Sequence, residues 1–243
     1  MVDAVNRAHV IGMGRAGRTL AARLSQRGLT VTSGRDPDPS SELILLCVPD
    51  GAIAAVAAAI PVGPWVAHVS GATPLTALEP HRRRFSLHPL VAFDLTRGPE
   101  QLDGAWAAIA AETAEARAIA TRCANLLGLT PFDIAEDDRP LYHAAASIAS
   151  NYLVALQRSA ARLFALAGAP TEALVPLMRG TLQSGFPLTG PIARGDWETV
   201  AAHVAALRAS AADLVPMYQV LAKVTARLAE QPLPPSIAAE RPG

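Results

Sequence analysis

Lysine, cysteine and aromatic residues are all scarce in this chain of 243 residues. Lysine occurs once, at Lys223, so a mechanism that needs a catalytic lysine has a single candidate near the end of the sequence. The two cysteines, Cys47 and Cys123, lie in apolar stretches without Cys or His at metal-ligand spacing, which predicts buried thiols and no metal site. Aromatic residues make up 5% of the chain but hydrophobic residues 51%, which is typical of a folded protein with closely packed helices.

Net charge and long apolar runs are also absent. The 21 basic and 21 acidic residues balance, so no long-range field attracts nucleic acid or an anionic membrane. The first eight residues lack the apolar core of a signal peptide, and the apolar stretches near 43–49 and 52–62 are shorter than the ~20 residues that span a bilayer. We therefore expect a cytoplasmic protein with no nucleic-acid or membrane partner.

The first half of the chain alternates short apolar runs with helical patterns, and the second half is helical only. Strands are predicted at 9–11, 29–33, 43–48, 65–69, 85–88, 105–110 and 130–134, with helices at 15–27, 50–60 and 112–127. Beyond residue 136 the pattern predicts helices at 137–166, 171–184, 196–209 and 211–230. The fold class is therefore α/β, with an N-terminal Rossmann-type parallel sheet followed by an all-helical C-terminal domain. We expect domains at 1–135 and 136–231 and a disordered tail at 232–243.

A Gly-x-Gly-x-x-Gly motif follows the first predicted strand and opens the first predicted helix. Gly12 allows a tight turn, Gly14 lets the backbone approach a pyrophosphate, and Gly17 permits close packing of the helix on the strand. The helix N-terminus adds amide hydrogens that point at an anion. The motif predicts a dinucleotide site formed by Gly12, Met13, Gly14, Arg15, Ala16 and Gly17.

The end of the second strand indicates which dinucleotide binds. An acidic residue there accepts hydrogen bonds from the ribose of NAD, but this strand ends in Ser33, Gly34 and Arg35. A hydroxyl and a guanidinium suit a 2′-phosphate, so Ser33 and Arg35 favour NADP over NAD. Two alternatives stay open: Asp36 reaches the ribose in a shifted loop, or Arg35 is simply a solvated loop residue.

The segment after Arg35 is unusually short. Residues 36–41 read Asp-Pro-Asp-Pro-Ser-Ser, too few for the dozen or more residues of a helical crossover. We therefore expect a shortened sheet in which the strand at 43–48 lies directly beside the first strand. Val48, Pro49 and Asp50 end that strand and are predicted to line the dinucleotide, although Asp50 would equally suit a helix cap.

Several motifs resemble one group of bacterial proteins. These proteins join a Rossmann-like NADP-binding domain to a C-terminal helical domain of unknown function. They are similar to the 6-phosphogluconate dehydrogenase-like superfamily, which includes pyrroline-5-carboxylate reductase, ketopantoate reductase and prephenate dehydrogenase. The resemblance covers nearly the whole chain and implies an NADP-dependent oxidoreductase, homodimeric, with its active site between two domains. The segments that carry it are Ile11-Gly-Met-Gly-Arg-Ala-Gly17, Leu45-Leu-Cys-Val-Pro-Asp50, His68-Val-Ser-Gly-Ala72, Ser86-Leu-His-Pro-Leu90, Leu141-Tyr-His-Ala-Ala-Ala-Ser-Ile-Ala-Ser-Asn151 and Leu188-Thr-Gly-Pro-Ile-Ala-Arg-Gly-Asp196.

Reduction of a carbonyl or imine also needs a proton donor and groups that orient the substrate. β-Hydroxyacid dehydrogenases use a lysine on the first long helix of the C-terminal domain, and this chain has none there. That helix carries His143, Ser147 and Asn151, spaced four apart, which predicts a polar stripe with His143 as proton donor and the other two orienting the substrate. Helix packing is the alternative explanation of the stripe.

Three further residues are predicted to bind a small carboxylate substrate, with the nicotinamide amide as the alternative ligand of two of them, Ser70 and Gly71. Ser70 and Gly71 follow the strand at 65–69, and His88 precedes Pro89 at the end of the next strand, like the histidine-proline turn of prephenate dehydrogenases. Ordinary turn chemistry or a structural histidine would explain them equally well. The sequence therefore favours an NADP-dependent reductase of a small keto or imino acid, with ketopantoate as one candidate. The missing lysine favours the alternative, a non-catalytic NADP-binding regulatory or sensory protein.

Overall fold

The computed structural model describes residues 5–234, so most of the predicted tail lies outside the described residues. The chain forms two compact units, Met1–Ser150 and Asn151–Gly243. The division falls later than the predicted boundary at residue 135. The first turns of the helix that follows residue 138 belong to the first unit, where Arg139 and Tyr142 bind the side chains of Ser86 and His88 in the sheet.

The first unit contains a seven-stranded sheet in the order β2-β1-β3-β4-β5-β6-β7. Its helices are α1 (Arg15–Gln26), α2 (Ile53–Ala58), α3 (Ala114–Leu127) and α4 (Arg139–Ser147), with 3-10 turns at Asp50–Ala52, Leu75–Leu78 and Pro99–Leu102. The element types and approximate bounds match the sequence prediction. The strands are β1 (Arg7–Ile11), β2 (Thr30–Ser33), β3 (Leu43–Leu46), β4 (Trp65–His68), β5 (Arg84–Pro89), β6 (Trp106–Ala110) and β7 (Thr130–Asp133).

The shortened sheet predicted from the brief segment after Arg35 is confirmed. Strand β3 pairs in parallel with β1, with His9 opposite Ile44, and β2 pairs with the other side of β1. The Rossmann-type sheet is mostly parallel, as predicted, and its one antiparallel pairing joins β6 to β5. Residues 90–105, all of them described, contain a 3-10 turn but no α-helix. Antiparallel neighbours need no helical crossover, which is why the chain can reverse there.

The sheet is buried on both faces, as expected for parallel strands that read as continuous apolar runs. All four residues of β3 are at most 1% exposed. Leu43 and Leu45 pack into a core with Leu20, Leu24 and Ile119 of α1 and α3. Ile44 and Leu46 face the opposite side, where they pack with Ile53 and Ala57 at α2.

The second unit is helical. It contains α5 (Leu153–Leu166), α6 (Leu174–Gln183), α7 (Trp197–Ser210) and α8 (Val215–Leu228), with 3-10 turns at Thr171–Ala173, Ile192–Arg194 and Ala212–Leu214. A π-helical turn at Ile148–Tyr152 precedes α5. The small core of the unit lies between α7 and α8, where Val200, Val204 and Ala222 are buried. No helix within residues 5–234 is long and apolar enough to cross a membrane.

Candidate dinucleotide and substrate site

The predicted site residues of the first unit follow one edge of the sheet. Strands β2, β1, β3, β4 and β5 are neighbours and run in parallel, so their carboxyl ends share that edge. The predicted cofactor residues follow the first three of these strands, and the predicted substrate residues lie at the ends of β4 and β5. This edge is where ligands bind in open α/β sheets. We call it the carboxyl edge.

The three glycines of the motif have different surroundings. Gly12 has a positive φ of 98°, and a Cβ there would lie 2.5 Å from the carbonyl oxygen of Cys47. A Cβ at Gly17 would overlap the carbonyl oxygen of Gly12, so this glycine is required for packing. Around Gly14 no atom of the described residues lies within 4 Å of the place a Cβ would take. The space above Gly14 is therefore open, as the approach of a pyrophosphate requires.

The N-terminus of α1 is suited to an anion. Gly14 is its N-cap and supplies no capping side chain, and the first turn contains no acidic residue. The backbone N–H groups of this turn are therefore available to a phosphate. Met13 and Arg15 are exposed beside it and Ala16 is half-buried. Arg18 Nε donates to the carbonyl oxygen of Met13 at 2.9 Å and closes the turn, a contact the sequence did not indicate.

The residues predicted to select NADP are accessible. Ser33 ends β2, and Ser33, Arg35 and Asp36 are all exposed. On the other side of β1, Val48 is half-buried, and Pro49 and Asp50 are exposed. The side chain of Asp50 makes no capping hydrogen bond within the described part of the chain. Burial lowers the pKa of His68 and His88, and the negative charge of Asp50 opposes this shift at both. The carboxylate of Asp50 therefore lies near enough to act on both imidazoles.

The turn after β4 is built by Ser70. This residue is 7% exposed, and its hydroxyl oxygen accepts hydrogen bonds from the N–H groups of Ala72 at 3.2 Å and Thr73 at 3.0 Å. Gly71 is buried next to it, and a Cβ there would lie 2.6 Å from Cδ2 of His143 and 2.7 Å from Cε1 of His88. The backbone of Gly71 therefore packs directly on both histidine rings.

Three aromatic side chains meet at the end of β5. His88 Nδ1 lies 2.6 Å from the phenolic oxygen of Tyr142, and the rings of His88 and His143 are 5.9 Å apart, edge to face. His143 and Ser147 lie on α4 and are half-buried. The structure thus brings together His88, His143 and Gly71 among the predicted residues, and adds Tyr142. Asn151 is exposed, in the π-helical turn, and belongs to the second unit.

A buried arginine lies beneath this cluster. Arg139 is 1% exposed, and its guanidinium donates to Glu136 Oε1 at 2.6 Å, to Ser86 Oγ at 2.7 Å and to the Ser70 carbonyl oxygen at 3.4 Å. Glu136 Oε2 also accepts from the N–H of Leu75 at 2.8 Å. These bonds tie the start of α4 to the ends of β4 and β5. No motif in the sequence indicates this role of Arg139.

Burial is the main cause of pKa shifts at three side chains near the end of β5, namely His68, His88 and Tyr142. Burial, followed by the charge of Arg139, lowers the pKa of His68 to about 4. Burial, followed by His143 and Arg139, lowers the pKa of His88 to about 4, so this imidazole is neutral at pH 7. Burial raises the pKa of Tyr142 to about 12, which keeps its phenol protonated. His88 and Tyr142 therefore present neutral hydrogen-bonding groups at physiological pH.

The comparison with protein families matches residues 105–225 to a domain of unknown function, DUF2520. The match begins at the residue before β6 and ends within α8, so the matched region includes β6, α3 and β7 of the sheet as well as most of the helical unit. No curated protein sequence matches the chain.

Solved structures share the fold at low sequence identity. A candidate NADP oxidoreductase from Bacteroides fragilis is 19% identical with a TM-score of 0.79, and a protein from Thermotoga maritima is 23% identical with a TM-score of 0.73. The 1-pyrroline-5-carboxylate reductase from Streptococcus pyogenes is 15% identical with a TM-score of 0.59. Each match covers 92% of this chain and 98% of the other. These matches confirm the Rossmann-like fold with a helical C-terminal region.

Proposed function

We propose that this chain is an NADP-dependent oxidoreductase that reduces a small keto acid or imino acid. The observation that carries the proposal is the shared carboxyl edge, where an open Gly14 turn and the cluster of His88, Tyr142 and His143 follow strands of one sheet. The names of the similar structures from Bacteroides fragilis and Streptococcus pyogenes, an oxidoreductase candidate and a reductase, support the same class of reaction.

In this proposal the dinucleotide lies along the carboxyl edge and supplies the hydride. The N–H groups at the start of α1 bind its pyrophosphate, for which the surroundings of Gly14 leave room. Ser33 and Arg35, both exposed beyond β2, bind the 2′-phosphate of the adenosine. Val48, Pro49 and Asp50 continue the same edge toward β4.

The substrate side of the proposal rests on the protonation states of the cluster. Tyr142 keeps its proton and His88 is neutral, and in the tautomer with hydrogen on Nε2 the phenol O–H donates to His88 Nδ1 across 2.6 Å. The other ring nitrogen of His88 then carries hydrogen and donates to a carboxylate or carbonyl oxygen of the substrate. His143 protonates the oxygen or nitrogen atom that gains the electron pair during hydride transfer. Ser147 and Asn151 orient the substrate.

The test of the proposal is NADPH oxidation by the purified protein with a panel of keto and imino acids. Ketopantoate and 1-pyrroline-5-carboxylate are the first compounds to try. Replacement of His143 by Ala should lower kcat by about 10²–10⁴-fold with little change in NADPH affinity. His203→Ala is a matched control, because this histidine binds the phenol oxygen of Tyr218 at 2.8 Å in the second unit.

The outcomes separate the two functional hypotheses. Turnover of a panel member that depends on His143 but not on His203 supports the reductase. Tight NADPH binding without turnover of any compound favours the non-catalytic sensory protein, for which the missing lysine argues. A protein that binds neither NADPH nor NADH contradicts both.

We also propose that the helical unit forms a homodimer. Helix α5 lies wholly within the described residues and has no buried residue, although six of its 14 residues are leucine, valine or phenylalanine. Apolar patches left exposed on this scale mark interaction surfaces, and a second copy related by a two-fold axis is the commonest occupant. Light scattering at micromolar concentration tests this, and a monomer would contradict it. The exposed apolar residues include Leu153, Val154, Leu156, Leu166, Val175, Leu177, Leu182, Val220, Leu221, Val224 and Leu228.

A further inference from the structure

A buried histidine occupies the central strand of the sheet beside the cofactor edge. His9 of β1 is 2% exposed, and its neighbours across the ladder are Thr32 and Ile44. Alternation along the strand places it on the same face as Ile11, which packs with apolar residues near α2. A polar side chain at such a position is costly unless its hydrogen-bonding groups are satisfied. The hydrogen-bond partners of His9 therefore decide whether its burial is favourable.

Two of the partners of His9, Gly34 and Asp38, lie in the connection from β2 to β3. Strands β2 and β3 lie on opposite sides of β1 and run parallel to it, so residues 34–42 must return from its carboxyl end to its amino end. A crossover helix would satisfy its own backbone, but this short segment, fully described, contains no helix. Its N–H and C=O groups therefore need partners from elsewhere.

The ring of His9 provides both a donor and an acceptor for this connection. Nε2 donates to the carbonyl oxygen of Gly34 at 3.3 Å. Nδ1 accepts from the hydroxyl of Thr32 at 2.7 Å and from the N–H of Asp38 at 3.4 Å. A single tautomer, with hydrogen on Nε2, satisfies all of these contacts. The shortened crossover thus explains why a histidine, rather than an aliphatic residue, stands in a buried strand.

We propose that His9 is a positioning residue that determines the preference for NADP by fixing the loop that carries Arg35. The proposal rests on the proposed function, because it assumes that the dinucleotide binds along the carboxyl edge. The carbonyl held by His9 belongs to the Gly34–Arg35 peptide, so the contact sets the direction in which Arg35 leaves the backbone. The N–H of Gly34 is held as well, by the carbonyl oxygen of Val10 at 3.3 Å.

The far end of the connection is anchored independently of the ring. Asp38 Oδ1 accepts from the N–H and the hydroxyl of Ser40, both at 2.8 Å, and Arg7 Nε donates to the Ser40 carbonyl oxygen at 2.8 Å. Loss of His9 therefore releases the middle of the loop and leaves its end in place. An exposed arginine on a released loop must be ordered when it binds phosphate, which weakens recognition of the 2′-phosphate alone.

The test compares His9→Phe with His81→Phe. His81 is a matched control because it is also 2% exposed and its Nε2 binds one backbone carbonyl, that of Ala57 at 2.9 Å, away from the loop. The probes are NADPH, NADH and adenosine 2′,5′-bisphosphate, titrated by calorimetry. We expect His9→Phe to lower the affinity for NADPH and for the bisphosphate by about tenfold, and the affinity for NADH by less than about twofold. His9→Gln, which keeps a donor and an acceptor, should restore part of the difference.

A second readout does not depend on any cofactor. Trypsin cleaves after Arg35, and mass spectrometry of the fragment that starts at Asp36 reports how accessible this bond is. We expect cleavage there to be several-fold faster in His9→Phe than in the wild type or in His81→Phe. A loss of fold in His9→Phe would show as faster cleavage at arginines throughout the chain, in which case His9→Gln decides.

The results distinguish the role of His9 from the proposed function. A wild-type protein that prefers NADPH, together with a His9→Phe variant that keeps the same preference and the same cleavage rate, overturns the role of His9 alone. Equal losses of NADPH and NADH affinity also overturn it, since they indicate a general structural effect. A wild-type protein that binds neither dinucleotide overturns both proposals.

Discussion

Alanine substitutions at the three glycines of the α1 turn should have different consequences for stability and for binding. At Gly14 the φ of −72° suits alanine, and no atom of the described residues lies within 4 Å of the added Cβ. Alanine is a poorer N-cap than glycine, which lowers the free energy of unfolding by about 0.5–1 kcal/mol. Alanine also restricts the unfolded chain, which raises the free energy of unfolding by about 0.4–1 kcal/mol. These effects offset each other, so we expect the free energy of unfolding to change by less than about 0.5 kcal/mol.

Binding should respond to Gly14→Ala much more strongly than stability does. The methyl group would take the space through which a pyrophosphate reaches the backbone. We expect the affinity for NADPH to fall by at least about tenfold, which corresponds to ~1.4 kcal/mol.

The other two glycines should behave in the opposite way. A Cβ at Gly17 meets the Gly12 carbonyl and lies 3.2 Å from Cβ of Cys47, so the backbone must shift, at a cost of about 1–3 kcal/mol. At Gly12 an added Cβ would clash with the carbonyl oxygen of Cys47. The positive φ of 98° adds backbone strain of about 1–2 kcal/mol for alanine. Each kcal/mol lost from the free energy of unfolding should lower Tm by about 2–4 °C.

The assay combines thermal unfolding with calorimetric titration of NADPH. Gly28→Ala is the control for backbone strain, since Gly28 has a φ of 90°, open surroundings and a position at the opposite end of α1. It should lose stability but keep its affinity for NADPH. Wild-type affinity in Gly14→Ala, or a loss of stability as large as that of Gly17→Ala, would refute the assignment of Gly14 to the pyrophosphate.

Three further predictions concern charge. Arg35→Ala should narrow the difference between NADPH and NADH affinity by about one to two decades in calorimetry, because it removes a charged contact to phosphate; equal affinities in the wild type would contradict this. Arg139→Met should lower the free energy of unfolding in urea by about 2–4 kcal/mol, because it removes the buried partner of Glu136, a carboxylate that is itself partly exposed. A loss below about 1 kcal/mol would contradict this prediction. Burial lowers the pKa of His68 and His88 from 6.5 to about 4, so the unfolded state binds more protons between these values and stability should fall as pH drops from 6.5 to 4. His68→Gln should show a shallower slope over this range.

The sequence predicted the sheet where local signals were sufficient. The six residues between Arg35 and Glu42 were too few for a crossover helix, and this count alone placed β3 beside β1. The reversal at β6 was missed because strand direction is not encoded in hydrophobic periodicity. Its signal was the lack of a helical pattern in residues 90–105, because most parallel crossovers contain a helix.

The candidate site was predictable on its cofactor side and only partly on its substrate side. The glycine motif acts within one turn, so its spacing is visible in the sequence. Arg139 acts through Ser70 and Ser86, which are 69 and 53 positions away, and Tyr142 acts through His88, 54 positions away. Such contacts depend on strand order, which had first to be known. The only local signal was that both residues lie next to segments already singled out for their histidines.

The missing lysine fits the electrostatics of the cluster. The guanidinium of Arg139 is already buried there, and Glu136 already binds both this guanidinium and the N–H of Leu75. A lysine in place of His143 would place a second, permanent positive charge four residues from Arg139 on α4, which is unfavourable even with the carboxylate of Asp50 near the cluster. For the reaction proposed here, an imidazole avoids this cost, because it carries a positive charge only while it holds the proton that it donates. His143 suits that role better than His88, because the ring of His88 is bound to the phenol of Tyr142, whereas no tyrosine binds the ring of His143 among the described contacts.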